Sequence, residues 1–523
     1  MKHFHKYRFS VTDIPASIVV FLVALPLCLG VAVASDALPI TGIIAGIAGG
    51  IITGIISKSH LSVSGPAAGL TAIVSGALGT LPSYEVFLLS VVLSGVFQIL
   101  LGFLKAGVIG DFIPNSVIKG MLAAIGLILI LKQIPHFLGY DKDPVGDESF
   151  LQPDQQNTFT EIIQAIKHTS AGAIVIGLAA MAILLVFETK WIKQKKLFTY
   201  IPGPLLVVIA GITINSNFHT SAPDLLLKND QVVNIPVFDT MAGLFNSLPR
   251  PDITGFMNPS MWITAITLAI VASLETLLSI EAVDKLDPEK ALTPNNWELK
   301  AQGTGNIVSG LLGGLPITSV IVRSSANVNA GARSKASTII HGFLLLISVA
   351  FFPHILNLIP LAALAAILIV TGYKLAKFSL FTQMYQKGWD QFVPFTVTVA
   401  AIIGTDLLKG ITIGLLTGLF FGVRSNFKTA VFVIKDDFRY LIRFRKEVSF
   451  LNKALVKNTL EQIPDDTAVL IDATHSEFID KDIVEVIDDF IVNAEKRNIR
   501  VYIKRTQGKD KQFFNDIHNR NIE

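Results

Sequence analysis

Charge is scarce in this chain of 523 residues. Asp, Glu, Lys and Arg make up 16% of it, against about 25% in an average soluble domain. The shortfall is uneven. Residues 14–35, 37–57, 61–84, 106–118, 171–187, 201–218, 259–274, 336–373 and 391–405 are almost free of charge. A soluble core would have to bury all of these runs at once. Cysteine is scarcer still: Cys28 stands alone, which excludes an intrachain disulfide. There is no glycine-rich phosphate loop, no GxSxG and no metal-ligand cluster, so neither an enzyme nor a bound cofactor is expected. The ten histidines are scattered, and His3, His5 and His60 read as surface residues. The first apolar run is long, contains Pro26 and lacks a convincing cleavage site, so no cleavable signal peptide is expected. The net charge of +3 gives no reason to expect a nucleic-acid partner.

What the chain has instead is length of apolar sequence. A helix rises about 1.5 Å per residue across roughly 30 Å of hydrocarbon, so uncharged runs near 20 residues read as membrane spans. The expected fold class is an α-helical polytopic membrane protein surrounded by lipid, with about fourteen segments. The first seven are placed at 14–34, 40–57, 65–79, 84–104, 116–138, 171–188 and 200–214. The second seven are at 260–282, 297–313, 318–331, 336–356, 358–378, 391–406 and 408–425. The polar stretches 139–168 and 215–258 are expected to be loops. The basic ends "MKHFHKYR" and "RSNFK…KDDFRYLIRFRK" predict cytoplasmic N- and C-termini and hence an even number of spans.

The two groups of seven look alike at one place. In each, the third segment is short and opens on proline: "SVSGPAAGLTAIV" (62–74) and "GLPITSVIVRSSANV" (314–328). Paired, interrupted segments at matching positions point to inverted repeats, here 14–214 and 260–425, with a binding site between them. A half-helix starting near the bilayer midplane presents unpaired N–H groups and partial positive charge. Two facing starts therefore suit an anion. The candidates are Ser64, Gly65, Pro66, Ala67 and Ala68 on the first segment, and Thr318, Ser319, Val320 and Ile321 on the second. Arg323 would add a full charge, since an ionised residue inside a membrane is costly and seldom incidental. Its expected acidic partner is Glu275 in "AIVASLETLLSIEAV", with Ser279 one turn on. That pair could coordinate Na⁺, carry a proton, or simply neutralise Arg323. Glu281 and Asp284, nearer the helix end, and the flanking Arg333 and Lys335 read as interfacial.

From about residue 431 the pattern changes. "RYLIRFRKEVSF" reads as a strand, "LNKALVKNTLEQI" as a helix and "TAVLIDATHSEF" as a strand. "KDIVEVIDDFIVNAEKR" has a helical apolar stripe of Ile483, Val484, Val486, Ile487, Ile491 and Val492, and "IRVYIK" alternates as a strand. The alternation predicts a small α/β domain over 431–523, beyond a membrane domain over 1–430.

The series "DIPASIVVFLVALPLCLGVAVAS", "VSGPAAG", "SLETLLSIEA" and "GNIVSGLLGGLPITSVIVRSSANVNAGAR" resembles the SulP/SLC26 anion transporter family, and the tail resembles its STAS domain. The resemblance implies seven plus seven inverted repeats forming core and gate domains, a homodimer, elevator movement and a cytoplasmic STAS domain. It places the anion between the third and tenth helices, at Gly65–Ala68 and Thr318–Ile321 with Arg323, and a coupling site at Glu275 and Ser279. It also brings Pro26, Leu27 and Val31 of the first helix to the pocket. Leu27 stands where many sulfate transporters of the family carry glutamine, which is similar to the bicarbonate branch. Glu275 and Arg323 depart from that branch, where aspartate and a non-arginine residue stand. Lys481 in "FIDKD" replaces the phosphorylatable serine of related anti-sigma antagonists, so an assembly or regulatory role, with a possible cytoplasmic protein partner, is expected of the tail.

The expected function is secondary transport of a small inorganic oxyanion across the inner or plasma membrane. Sulfate stands ahead of bicarbonate, with H⁺ or Na⁺ as coupling ion. The alternatives are a Na⁺-dependent bicarbonate transporter, a nucleobase:cation symporter, an anion channel, and a STAS-based sensor or scaffold with little transport.

Overall fold

The computed structural model describes residues 10–141, 150, 157–189, 192, 201–235, 237, 248–428, 431–436 and 438–504. The basic N-terminus with His3 and His5, parts of both polar stretches and the last residues of the tail lie outside these. The chain divides into two compact units, 1–415 and 416–523.

The first half opens with α1 (Asp13–Ala34) and α2 (Pro39–Ala48), which continues through a π-turn (Gly49–Thr53) to Ile56. Next come β1 (Ser64–Pro66), a 3₁₀ turn (Ala68–Leu70) and α3 (Thr71–Thr80). Then follow α4 (Tyr84–Phe103), α5 (Asn115–Leu138), α6 (Thr158–Lys167), α7 (Ala171–Glu188) and α8 (Gly203–Ser221). The second half runs α9 (Pro259–Leu286), α10 (Asn295–Leu311), β2 (Ile317–Ser319), α11 (Ile321–Asn329) and α12 (Ala336–Phe351). It ends with α13 (Leu361–Leu375), α14 (Phe378–Gln386), α15 (Trp389–Gly404) and α16 (Leu407–Lys428). Each expected apolar segment meets an element, and the third of each half is a strand followed by a short helix.

Among the described residues, seven helical stretches are long and apolar enough to cross a membrane. Several others are shorter: Ala336–Phe351, Trp389–Gly404 and Leu407–Val423 are apolar but under a full span. The chain is therefore a multi-pass membrane protein with several incomplete spans. Part of the first polar stretch is not a loop. There α6 begins with Asn157 and Thr160 in a reciprocal capping box and meets α5 through Lys132 and Glu161, 3.9 Å apart. The second stretch holds the end of α8 and three 3₁₀ turns.

One apolar cluster joins α1, α2, α5, α7, α8, α12, α13 and α15, and includes Leu25, Leu27, Ile118, Met121, Ile176, Leu345 and Phe395. A second surrounds the strand pair and includes Val31, Ala45, Leu70, Val74, Phe87, Leu268, Leu315 and Ile317.

The tail is a four-stranded sheet in the order β3 (Val431–Asp436), β4 (Arg439–Val448), β5 (Ala468–Ile479), β6 (Arg500–Lys504). The first pair is antiparallel and the others parallel, with α17 (Lys453–Glu461) and α18 (Lys481–Lys496) as crossovers. Ile483, Ile487, Phe490 and Ala494 bury the inner face of α18 against Ile442, Val469 and Ile471. Val492, expected in that stripe, is 65% exposed, because its position turns it away from the sheet. Strand β3 was not anticipated. Lys481 is the first residue of α18, whose start is capped by Asp480.

Candidate functional site

The two proline-opened segments meet. Strand β1 pairs antiparallel with β2, Ser64 opposite Ser319, Gly65 opposite Thr318 and Pro66 opposite Ile317. The sequence led us to expect helix from about 65 and 318; both positions are extended instead. Pro66 pushes Gly65 out of the helical region. Away from water, extended backbone needs a partner, which each strand supplies to the other. Helical structure begins only at Ala68 and Ile321, and no side chain caps either start. Side-chain caps occur at some other starts, with Ser83, Ser170 and Asn258 on α4, α7 and α9, and are missing at others, such as α1, α5 and α8. The unpaired N–H groups thus remain at the two facing starts.

A polar stripe on α10 holds the strands. The amide of Asn306 receives Ile317 N–H (2.7 Å) and donates to Ile317 O (2.9 Å) and to Gln98 Oε1 (2.7 Å). Gln302 donates to Ser64 Oγ (2.6 Å) and Glu298 (2.9 Å), and Ser57 also donates to Glu298 (2.6 Å). Ser62 and Ser319 share a hydroxyl bond of 2.6 Å, and Ser324 receives Val63 N–H at 2.9 Å. Ser64 and Ser319 are thus tied into the network that holds the strands. On α2, Gly49 lets Ser64 approach through backbone contact that a side chain would block.

Arg323, in the first turn of α11, is fully buried. Its Nη2 donates to Pro66 O at 3.4 Å, while Nε and Nη1 have no hydrogen-bond partner. Nη1 lies over Gly65, where any added methyl would collide with it. The expected ion pair with Glu275 is not formed. Glu275 lies across the other half-helix start, where a methyl on Gly69 would be 3.0 Å from Oε1. Glu275 and Ser279 are both buried on α9, and a carboxylate and hydroxyl one turn apart are oxygen donors of the kind Na⁺ takes. Among the described residues no group of three or more His, Cys, Asp and Glu is placed to hold a metal.

On α1, the Sγ of Cys28 fills the space beside Gly46, where a methyl would also lie 3.9 Å from Arg323 Nη1. Pro26, Leu27 and Val31 are buried. Leu27 packs in the larger apolar cluster and Val31 in the one around the strands. Ala67, Thr318, Val320 and Ile321 all lie at the paired segments; Val320 N–H donates to Val63 O at 3.0 Å. A cavity of about 290 Å³, lined by Pro15, Val19, Ala326, Asn329, Thr371 and Lys374 among others, opens one turn along α11 from Arg323.

Sequence reasoning missed Glu298, Gln302 and Asn306, whose i, i+4, i+8 spacing was the available signal. It also missed His341, the one ionisable residue of α12. Asp284, near the end of α9, is buried and receives Thr293 N–H and Oγ–H at 2.6 and 2.7 Å. His60 is half-buried rather than exposed; burial lowers its pKa, partly offset by Asp287 and Glu289. Arg333 and Lys335 fit flanking positions, with Lys335 donating to Ile55 O at 2.7 Å.

A multi-pass protein with two facing interrupted helices and a soluble α/β tail has the architecture of a secondary transporter. The chain belongs to the Sulfate permease family, whose model matches residues 11–398, and a STAS domain matches residues 430–522. The family's members are transporters, not enzymes. A putative sulfate transporter of Bacillus subtilis, YvdB, is 28% identical over 79% of this chain and 73% of its own. The bicarbonate transporter BicA of a Picosynechococcus strain is 24% identical over 79% of this chain and 69% of its own. In fold the chain resembles the murine Slc26a9 anion transporter, with a TM-score of 0.65 at 15% identity, over 99% of this chain and 88% of the other.

Proposed function

We propose that this protein is a secondary transporter of a small inorganic oxyanion, with sulfate ahead of bicarbonate as substrate. The observation that carries the proposal is Arg323: a fully buried guanidinium with two unpartnered nitrogens and, among the described residues, no carboxylate in ion-pair contact, set between two uncapped helix starts. Such a charge is costly unless something neutralises it, and an oxyanion does so with both the guanidinium and the backbone N–H groups. The anion would lie against Gly65–Ala68 and Thr318–Ile321. Glu275 and Ser279 are the assigned coupling group, for H⁺ or Na⁺. The cavity is lined jointly by α1 and α11, which carry the site, and by α7, α8 and α13; an elevator movement of one set against the other is assigned there. We further assign the protein to the cell membrane as a homodimer, with both termini and the STAS domain cytoplasmic.

The second reading, Na⁺-dependent bicarbonate transport, is favoured by Leu27 and by the likeness to BicA. Uptake of labelled sulfate into proteoliposomes under an inward proton gradient, with bicarbonate as competitor at constant pH, separates the two. Concentrative uptake that bicarbonate barely inhibits is expected. No sulfate uptake, with Na⁺-driven bicarbonate uptake instead, would establish the second reading.

A further inference from the structure

One buried polar group near this site has no use in the mechanism so far. His341 on α12 is fully buried, and neither ring nitrogen has a hydrogen-bond partner. Its neighbours on the same helix face fix where it points. Three residues before it, Thr338 donates to Ser62 O at 3.0 Å, just ahead of β1. Four residues after it, Leu345 packs against Gly46: a methyl there would be 3.1 Å from Leu345 Cδ1 and 3.9 Å from Arg323 Nη1. His341 thus faces the Arg323 side of the strand pair.

The other elements packed there bring few ionisable groups. Helix α1 brings Cys28, and α2 brings Gly46 and Gly50. Of the nearby core carboxylates, Glu298 is held by Ser57 and Gln302, and Glu275 lies by Gly69. A buried imidazole with two unpaired nitrogens is costly unless a ligand completes it.

Resting on the reading of Arg323 as the anion site, we propose that His341 is a second side-chain ligand of the anion. We assign it also as the group that takes up one proton when the anion is doubly charged. Arg323 alone balances a monoanion, toward which neutral His341 donates its single N–H. A dianion leaves one negative charge over in a low-dielectric site, and a proton entering on His341 balances it. Both ring nitrogens then donate, and the proton leaves when the dianion does. Glu275 keeps the ion that drives transport; the proton on His341 sets the charge of the occupied site.

The test is binding of sulfate and of nitrate, a monoanion throughout the range, to the full chain in lipid nanodiscs between pH 5.5 and 8. For the native protein, sulfate affinity should fall toward tenfold per pH unit as pH rises, with one proton taken up per sulfate in weakly buffered calorimetry. Nitrate affinity should be flat. His341→Gln, and His341→Asn as a second variant, should bind sulfate with a flat pH profile and no proton uptake. Sulfate binding without proton uptake in the native protein, or an unchanged slope in the variants, would overturn the role of His341 and leave the Arg323 site standing. Undiminished sulfate binding by Arg323→Ala would instead remove the site itself, and this inference with it.

Discussion

Arg323 sits where a guanidinium is expensive: insertion scales put it at about 2.5–3.5 kcal/mol at the centre of a membrane helix. Its hydrogen bond to Pro66 O, at 3.4 Å, is long and recovers little. A residue kept for structure would be better served by an apolar side chain of similar length, since breaking even with buried charge is difficult. Arg323→Met should therefore hold or raise the thermal unfolding temperature in anion-free detergent while reducing sulfate affinity at least about a hundredfold, the loss of a fully desolvated charge contact. A clear drop in unfolding temperature would show that the guanidinium holds the fold. Glu275→Gln should leave sulfate bound but remove the dependence of uptake on the imposed H⁺ or Na⁺ gradient; retained gradient-driven accumulation in proteoliposomes would take Glu275 out of that role. Both residues were legible in the sequence as charges inside apolar runs. Their separation was not, because an ion pair is a matter of which helix start each side chain lies over. Cys28 is a similar case: adjacent residues on a helix point about 100° apart, and only the packed neighbours show that its Sγ and Arg323 Nη1 both lie beside Gly46.

At the scale of elements, the strand pair depends on partners remote in sequence. Proline, glycine and shortness marked the two third segments as interrupted, but β1 and β2 are three residues each and exist only through one another. No local pattern could announce them. What locks them is Asn306, which satisfies both the N–H and the C=O of Ile317. Asn306→Leu leaves those buried groups unpaired, at about 1–3 kcal/mol each. It should lower the unfolding temperature and weaken sulfate binding together, whereas Arg323→Met separates the two. A variant as stable as the native protein would mean that the strand pair holds without its clasp. Gly65→Ala addresses the opposite side: its methyl meets Arg323 Nη1, so the guanidinium must shift. Sulfate affinity should fall at least about tenfold with the fold retained, as judged by elution in detergent; native affinity would place the anion away from Nη1.

Taken whole, the chain is two units with separate cores. The membrane unit packs its helices around the strand pair, and every backbone group within lipid must find its partner inside that unit. The tail has a core of its own, in which Ile442, Phe444, Val469, Ile471, Ile483 and Ile487 are almost fully buried between sheet and helices. The order of this tail was readable because each of its strands and helices is amphipathic with its own period; β3 escaped because its residues are largely exposed and it pairs along one edge only. We place the domain boundary near residue 430. If the cores are independent, deletion of 431–523 removes no contact that the anion site needs. The truncated chain should elute as a single folded species and bind sulfate within about twofold of the full protein, since the Arg323 site and its α10 clasp are intact. Transport rate is free to change, because the assembly or regulatory role expected of the tail would act on movement rather than on the occupied site. Loss of folded protein, or of sulfate binding at equal folding, would show that the tail completes the membrane unit and that the two cores are one cooperative structure.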